Sequence, residues 1–450
     1  MKLESDSLNI LNIALERLNE GFNSLPDVAA EYDTDAIKDV LLQVADRMQD
    51  NYPYFHPLYA GQMLKPPHMM ACLAYMLSLW INPNNHALDG GRASSQMEKE
   101  AVAALADIFG WETHMGHLCS GGTMANLEAL WVSGKLQPGK LFLASEQAHY
   151  THSRISEVLS LNFRTITCDN RGRMDIRSLE KLLQQGNVGT VVATMGTTGA
   201  GAVDPLQEIL ELRDKYKFRI HADAAYGGYF ILADNLEVAT RRNLDCISYV
   251  DSIVIDPHKH GLQPYGCGCI LFKDPSVGAF YKHDSPYTYF TSAELHLGEI
   301  SLECSRPGAS AVALWATQRL LPMVKNGAFA SGLSGSRQAA VALFEKLCND
   351  SRFLTIMHPE LDIVVWAIKA KRASQISRLS RKFFDLAAQQ GLHLAVFNYS
   401  SDPLKNIWKD VEFDGDSVLC LRSCLMKAEH LDWIDKIWQI LMSVTQQMEL

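Results

Sequence analysis

Lys259 follows a short apolar run (252–255) in the segment Asp256-Pro-His-Lys-His260, and an aspartate stands upstream of it in His221-Ala-Asp-Ala-Ala-Tyr-Gly-Gly228. A lysine amine forms Schiff bases when it is partly neutral, and burial beside another cation or an imidazole favours that state. His258 and His260 flank this one. A pyridine ring attached to such a lysine acts as an electron sink while its nitrogen stays protonated, which a buried carboxylate such as Asp223 enforces. The chemistry these two residues suggest is that of pyridoxal phosphate. Taken alone, a lysine after a strand is ordinarily a solvated loop residue, so the reading depends on its company.

Three further segments supply that company. Ser120-Gly-Gly-Thr-Met-Ala-Asn126 precedes a helical stretch through Leu130, so amides at Gly122 and the Thr123 hydroxyl would face an anion at a helix N-terminus. The same residues also make an ordinary turn and N-cap. His149, in Ser145-Glu-Gln-Ala-His-Tyr150, follows an apolar strand and could stack on a planar ring or serve as a satisfied structural histidine. Thr194-Met-Gly-Thr-Thr-Gly199 ends another strand, where Thr197 and Thr198 offer hydroxyls either to a cofactor or to a hydrogen-bonded turn. His152, His114 and His117 raise a metal reading, but no carboxylate or thiolate completes a set at ligand spacing, and no metal is expected. Cys267 and Cys269 read as core thiols, and Arg306 first as a buried ion-pair partner, with a substrate carboxylate as its alternative ligand.

The elements that must position these residues show as an alternation. Short apolar strands at 141–144, 163–167, 190–195, 219–223, 252–255 and 267–272 alternate with helical segments, the pattern of a mostly parallel sheet covered by helices. Ligands of such sheets gather beyond the carboxyl ends of the strands, where Asp223 and Lys259 both fall. Helices are predicted over 96–109 and 309–321, followed by a Gly/Ser-rich stretch, 326–335, that reads as mobile. Beyond it lies a smaller α/β domain with strands near 363–368 and 418–421. Leu8, Leu11, Leu15 and Leu18 recur at helical spacing, so the N-terminus reads as an amphipathic helix in need of a partner surface. The expected division is therefore 1–60, 61–336 and 337–450.

Composition excludes several classes. A chain of 450 residues that is 47% apolar can bury a large core. Its net charge of −10 is spread without a basic block, which argues against a nucleic-acid partner. The longest apolar run, 69–81, falls short of the roughly 20 residues that span a bilayer, and the N-terminus lacks a secretory signal pattern. With ten cysteines scattered mostly through apolar surroundings, a cytoplasmic protein without a membrane partner is expected.

The motifs occur in a telling order: Ser-Gly-Gly-Thr, Ala148-His149-Tyr150, Gly172-Arg-Met-Asp175, Gly-Thr-Thr-Gly with Asp204-Pro205, His-Ala-Asp-Ala-Ala-Tyr-Gly-Gly, then Asp-Pro-His-Lys. Over roughly 51–321 the chain resembles the group II pyridoxal-phosphate-dependent amino acid decarboxylases, which include the glutamate, 2,4-diaminobutyrate, tyrosine/aspartate and aromatic amino acid enzymes. The resemblance implies the PLP-dependent transferase-like α/β fold (fold type I), with a mostly parallel seven-stranded sheet in a large domain and a smaller C-terminal α/β domain. It implies that Lys259 carries the cofactor as a Schiff base, that Asp223 pairs with the pyridine nitrogen, and that His149 stacks on the ring with Ala225 beneath the opposite face. Gly122, Thr123 and His258 would lie on the phosphate side and Thr197 near the cofactor, while Arg422 and His56 would serve the substrate, Arg422 through its α-carboxylate. It further implies a homodimer with sites at the subunit interface, and decarboxylation of an L-amino acid to its amine through an external aldimine and a carbanion delocalised into the ring.

One departure bears on the product. Many such enzymes carry a tyrosine in a mobile loop that reprotonates the carbanion, and the matching stretch, read as 326–335, offers Phe329 instead. Relatives with phenylalanine there form an aldehyde by decarboxylation-deamination. That outcome, and a carbon–carbon lyase resembling sphingosine-phosphate lyase, are the alternatives; His260, Tyr287 and Tyr289 are the other candidate proton donors.

Overall fold

The structure, a computed structural model, describes residues 5–26, 32–86, 90–282 and 301–449. Its centre is set by strands that are apolar on both faces. The segment Val-Gly-Thr-Val-Val-Ala-Thr at Val188–Thr194 is buried at every position, as a strand covered by helices on both sides must be. Seven strands form the large sheet: β1 (Met115–Cys119), β2 (Leu141–Ser145), β3 (Asn162–Ile166), β4 (Val188–Thr194), β5 (Arg219–Asp223), β6 (Ser252–Ile255) and β7 (Gly268–Phe272). They lie in the order β1-β7-β6-β5-β4-β2-β3. All neighbours from β6 to β3 are parallel, and β7 runs antiparallel to both β6 and β1. The register places Thr194 opposite Asp223 and Asp223 opposite Val254, so the carboxyl ends of β4, β5 and β6 finish side by side.

Strand β1 escapes the sequence pattern. Met-Gly-His-Leu-Cys does not alternate, and its glycine and histidine read as loop residues. Gly116 is required by the closeness of β7, since a Cβ there would lie 2.6 Å from the Ile270 carbonyl oxygen. His117 is buried and bonded to Glu128, with Nε2 2.9 Å from Oε2.

A second sheet comprises β8 (Phe353–Thr355), β9 (Ile363–Ile368), β10 (Ala395–Ser400) and β11 (Ser417–Cys424), antiparallel in the order β10-β11-β9-β8. The helices Ala373–Gln389 and His430–Gln447 accompany it. The helix Ala328–Cys348 runs through the expected division at 336/337, and Ala60 packs into the core of the smaller sheet, its amide bonded to the His393 carbonyl at 2.8 Å.

The stretch 326–335 is not a mobile loop. Most of it is the opening of the helix Ala328–Cys348, and Phe329 is 5% exposed with its ring edge-on to Tyr229 at 5.4 Å. Glycine and serine weaken a helix, but Phe329, Ala330, Leu333, Ala339, Ala340 and Leu343 on this one are all buried, and tertiary packing outweighs propensity.

The N-terminal helices behave differently. Ser5–Glu20 exposes Leu8, Ile10 and Ile13, and Thr34–Met48 buries none of its residues while exposing Ile37, Val40, Leu41 and Val44. No described helix is long and apolar enough to cross a membrane.

Candidate active site

The ends of β4, β5 and β6 and the turn before the helix Gly122–Leu136 enclose a cavity of about 290 Å³. Lys259, Asp223, His149, Ala225, Gly122, Thr123 and His258 all line it. Sheet topology brings them there: β5 ends at Asp223, β6 ends four residues before Lys259, and His149 follows β2.

Asp223 is the electrostatic centre. Its carboxylate is 5% exposed and accepts hydrogen bonds from His152 Nε2 at 2.8 Å and Asn126 Nδ2 at 3.4 Å on Oδ2, and from the Ala225 amide at 3.3 Å on Oδ1. Burial alone would push its pKa up; the His152 hydrogen bond, with the charges of His152, Lys259 and His221, overrides that and holds it well below the usual carboxylate range. Behind it, His221 is buried and pushed down to about 3, chiefly by burial, so it stays neutral. Its tautomer follows from its partners: Nε2 donates to Asn126 Oδ1 at 2.8 Å and Nδ1 accepts from Ser252 Oγ at 2.9 Å. That leaves the Asn126 amide nitrogen aimed at Asp223.

Lys259 Nζ lies 3.0 Å from Asp256 Oδ2, and Asp256 is itself buried. Asp256 also touches the glycine turn: a Cβ on Gly122 would meet its Oδ2 at 2.7 Å. Glycine is therefore demanded at 122 by close approach. Gly122→Ala is expected to displace the Asp256 carboxylate and weaken cofactor affinity by about 10-fold or more, as measured by equilibrium titration of the apoenzyme. His258 has its Nε2 3.5 Å from the same Asp256 oxygen and its ring 4.7 Å from Tyr265, and burial lowers its pKa. Burial likewise lowers that of His149, whose Nδ1 accepts from the Thr151 amide at 3.3 Å.

Other sequence expectations land elsewhere. Thr197 does not line the cavity; its Oγ1 accepts from the Ala202 amide at 3.0 Å inside the turn. Thr194, Gly196 and Thr198 line it instead, because alternate residues of an extended segment share a side. His56 packs its ring edge-on against Trp433 at 4.8 Å, away from the cavity lining. Arg422 stands one residue behind, donating from Nη1 to the Thr198 carbonyl at 2.9 Å and from Nη2 to Gln62 Oε1 at 3.0 Å. Arg306 is a buried structural cation, 2.7 Å from Glu98 and bonded to the carbonyls of Leu118 and Asn85. His260 faces a different cavity, beside Asp362, and Tyr287 and Tyr289 lie outside the described residues.

The residues that sequence reasoning missed are His152, Asn126 and Asp256. Asn126 and Asp256 lie within motifs already noted and His152 two residues beyond one, yet only the three-dimensional assembly assigns them to Asp223 and Lys259.

The lining fits a pyridoxal phosphate. Thr194 Oγ1, Asp256 Oδ1 and His258 Nδ1 are buried without a hydrogen-bond partner among the described residues, as expected of a site built for a polar occupant. The first-turn amides of the helix Gly122–Leu136 lack intrahelical acceptors and suit a phosphate, and the ionised Asp223 suits a pyridinium.

Known proteins agree. The pyridoxal-dependent decarboxylase conserved domain matches residues 124–369. An L-tyrosine decarboxylase of Enterococcus faecium is 28% identical over an alignment covering 84% of this chain and 80% of its own. An L-aspartate decarboxylase of Thermococcus kodakarensis is 30% identical over 62% of this chain and 72% of its own. Among solved structures, mouse CSAD in apo form superimposes with a TM-score of 0.78 at 19% identity, covering 95% of this chain and 92% of that one. Oryza sativa TDC with PLP and tryptamine gives 0.78 at 18% identity, covering 100% of this chain and 99% of that one. These structural likenesses carry the fold. With the family domain spanning more than half of its length, the chain belongs to the group II pyridoxal-phosphate-dependent amino acid decarboxylases and is a carboxy-lyase using that cofactor.

Proposed function

We propose that this chain decarboxylates an L-amino acid to the corresponding amine and CO2 in the cavity at the ends of β4, β5 and β6, with Lys259 as the residue that holds the cofactor covalently. The observation that carries the reading is the placement of Lys259 and an ionised, buried Asp223 in one cavity at the carboxyl ends of adjacent parallel strands. When bound, the cofactor supplies an electron sink for the charge left on the substrate carbon as CO2 departs.

The protein supplies the rest. Asp223 would keep a positive charge on the pyridine nitrogen, and His152 and Asn126 keep Asp223 ionised and oriented. His149 and Ala225 line the cavity and would flank the ring, and Gly122, Thr123 and His258, which line it too, would hold the phosphate. Arg422, fixed by Thr198 and Gln62 with its Nε unpartnered among the described residues, receives the substrate α-carboxylate.

His152→Leu leaves the buried Asp223 carboxylate without its strongest partner. Asp223 now has a depressed pKa, so its charge persists at every pH above its folded value; in the variant the pKa rises and the charge is lost earlier as pH falls. Wild type is expected to show no acid limb from Asp223 in the kcat/KM profile above about pH 5, His152→Leu to show one as burial raises the carboxylate pKa, and His152→Gln, which keeps a donor there, to suppress it again.

The product we propose is the amine. Phe329 sits in a packed helix and does not line the cavity of Lys259, which supports the amine over the aldehyde. Incubation with a panel of amino acids, tyrosine and aspartate first, is expected to release CO2 and amine in equal amounts. Hydrogen peroxide and ammonia, or cleavage that leaves the carboxyl carbon in the product, would overturn the reading.

The working unit we propose is a homodimer, with the apolar faces of Ser5–Glu20 and Thr34–Met48 covered by a second copy. Light scattering of the purified protein is expected to give twice the chain mass, and Leu41→Asp with Val44→Asp to shift it toward monomer.

A further inference from the structure

A second cavity of about 420 Å³ shares no lining residue with the first. Two lysines enter it from different parts of the chain. Lys427 is 3% exposed and donates from Nζ to the Tyr59 carbonyl at 2.7 Å and to that of Leu64 at 3.4 Å; Lys65 donates to the Met426 carbonyl at 3.3 Å. Among the described residues neither ammonium has a carboxylate within ion-pair distance. Two cations drawn together are costly; Glu429, which also lines the cavity, acts on both lysines and Asp362 on Lys65, yet burial outweighs these carboxylates and pushes both pKa values down to about 8. His260 adds a third polar group, 1% exposed, with Nδ1 unpartnered among the described residues and Nε2 3.3 Å from Asp362 Oδ2.

The remaining wall is largely apolar, with Leu262 and Phe329 among its residues. Gly332, inside the helix Ala328–Cys348, also faces the cavity. Its backbone is not among those with positive φ, and a Cβ there would meet nothing closer than Ala428 Cβ at 3.9 Å. Glycine weakens a helix interior, and neither backbone geometry nor packing calls for it here. Its effect is to keep volume open.

We propose that this cavity is a binding site for a small organic carboxylate with an apolar body. Lys65 and Lys427 take the carboxylate, and Phe329 and Leu262 take the apolar part. The site stands apart from the decarboxylation cavity and does not rest on the reading of that reaction. A bridge nevertheless joins the two, since Tyr226 lines the first cavity and donates to Asp362 Oδ1 at 2.5 Å, and Asp362 meets His260.

Calorimetry of the cofactor-loaded enzyme with 3-phenylpropanoate, and with its neutral amide as control, tests the proposal. Saturable binding of the carboxylate alone is expected, weakened about 10-fold or more by Lys65→Met. Gly332→Leu, which fills the space, is expected to abolish it. Both variants should keep the cofactor's visible absorbance and the amine-forming kcat, which shows that they remain folded. No saturable binding at millimolar probe, equal binding of the amide, binding indifferent to both substitutions, or binding displaced by amino acid substrate would each overturn the proposal.

Discussion

Lys259→Ala is expected to lose the covalent cofactor link and at least about 10³-fold in kcat, equivalent to about 4 kcal/mol of barrier. The size of the loss follows from the proposed role of Lys259, in which one amine would serve both cofactor loading and release. Its ammonium already sits 3.0 Å from Asp256 Oδ2, inside a cavity whose other walls the substitution leaves untouched. The variant should therefore fold normally and still bind cofactor non-covalently through Gly122, Thr123, His258 and Asp223. Single-turnover assays with added amine separate the two roles: exogenous methylamine is expected to restore part of the release step but not the covalent attachment to protein.

Asp223→Asn is the second large effect. The amide is the same size and can keep a hydrogen bond to a ring nitrogen, but it cannot hold a positive charge there. The ring then withdraws electrons poorly, and kcat is expected to fall on the order of 10²–10³-fold with cofactor retained. The variant also removes the carboxylate that His152 faces at 2.8 Å, so the partner loses its anion as well. Because the charged form of Asp223 is already favoured far below neutrality, wild-type activity between about pH 5 and 8 should show no titration assignable to this residue. A cofactor content equal to wild type, with the rate lost, is the signature to look for.

The parts of this site that could be read from the chain are those whose meaning is local. Asp223 ends one strand and Lys259 follows the apolar run of the next by four residues, and parallel strands ending side by side put both in one cavity. The turn at Gly122 is local in the same sense, and so is His149 after β2. Where meaning depends on distant partners, the sequence was mute or misleading. His152 reads as a possible metal ligand until the sheet order sets its helix against Asp223. Thr197 matches the motif, but a motif does not state which side of an extended segment faces inward; Thr194 and Thr198 line the cavity. Phe329 reads as a loop residue because glycine and serine dominate its neighbourhood, although the residues buried along that helix decide its structure. Strand β1 was missed because its glycine and histidine are explained only by β7 and Glu128. The motif singles out Arg422, but its support by Gln62 and Thr198 joins residues far apart in the chain.

The central claim is that Lys259 alone carries the cofactor. Borohydride reduction of the loaded enzyme, followed by peptide mass mapping, reads this directly. The reduced cofactor is expected on the peptide containing Lys259 and on no other lysine peptide, including those of Lys65 and Lys427. Stable modification elsewhere with Lys259 unmodified, or no modification of protein that binds cofactor stoichiometrically, would contradict it.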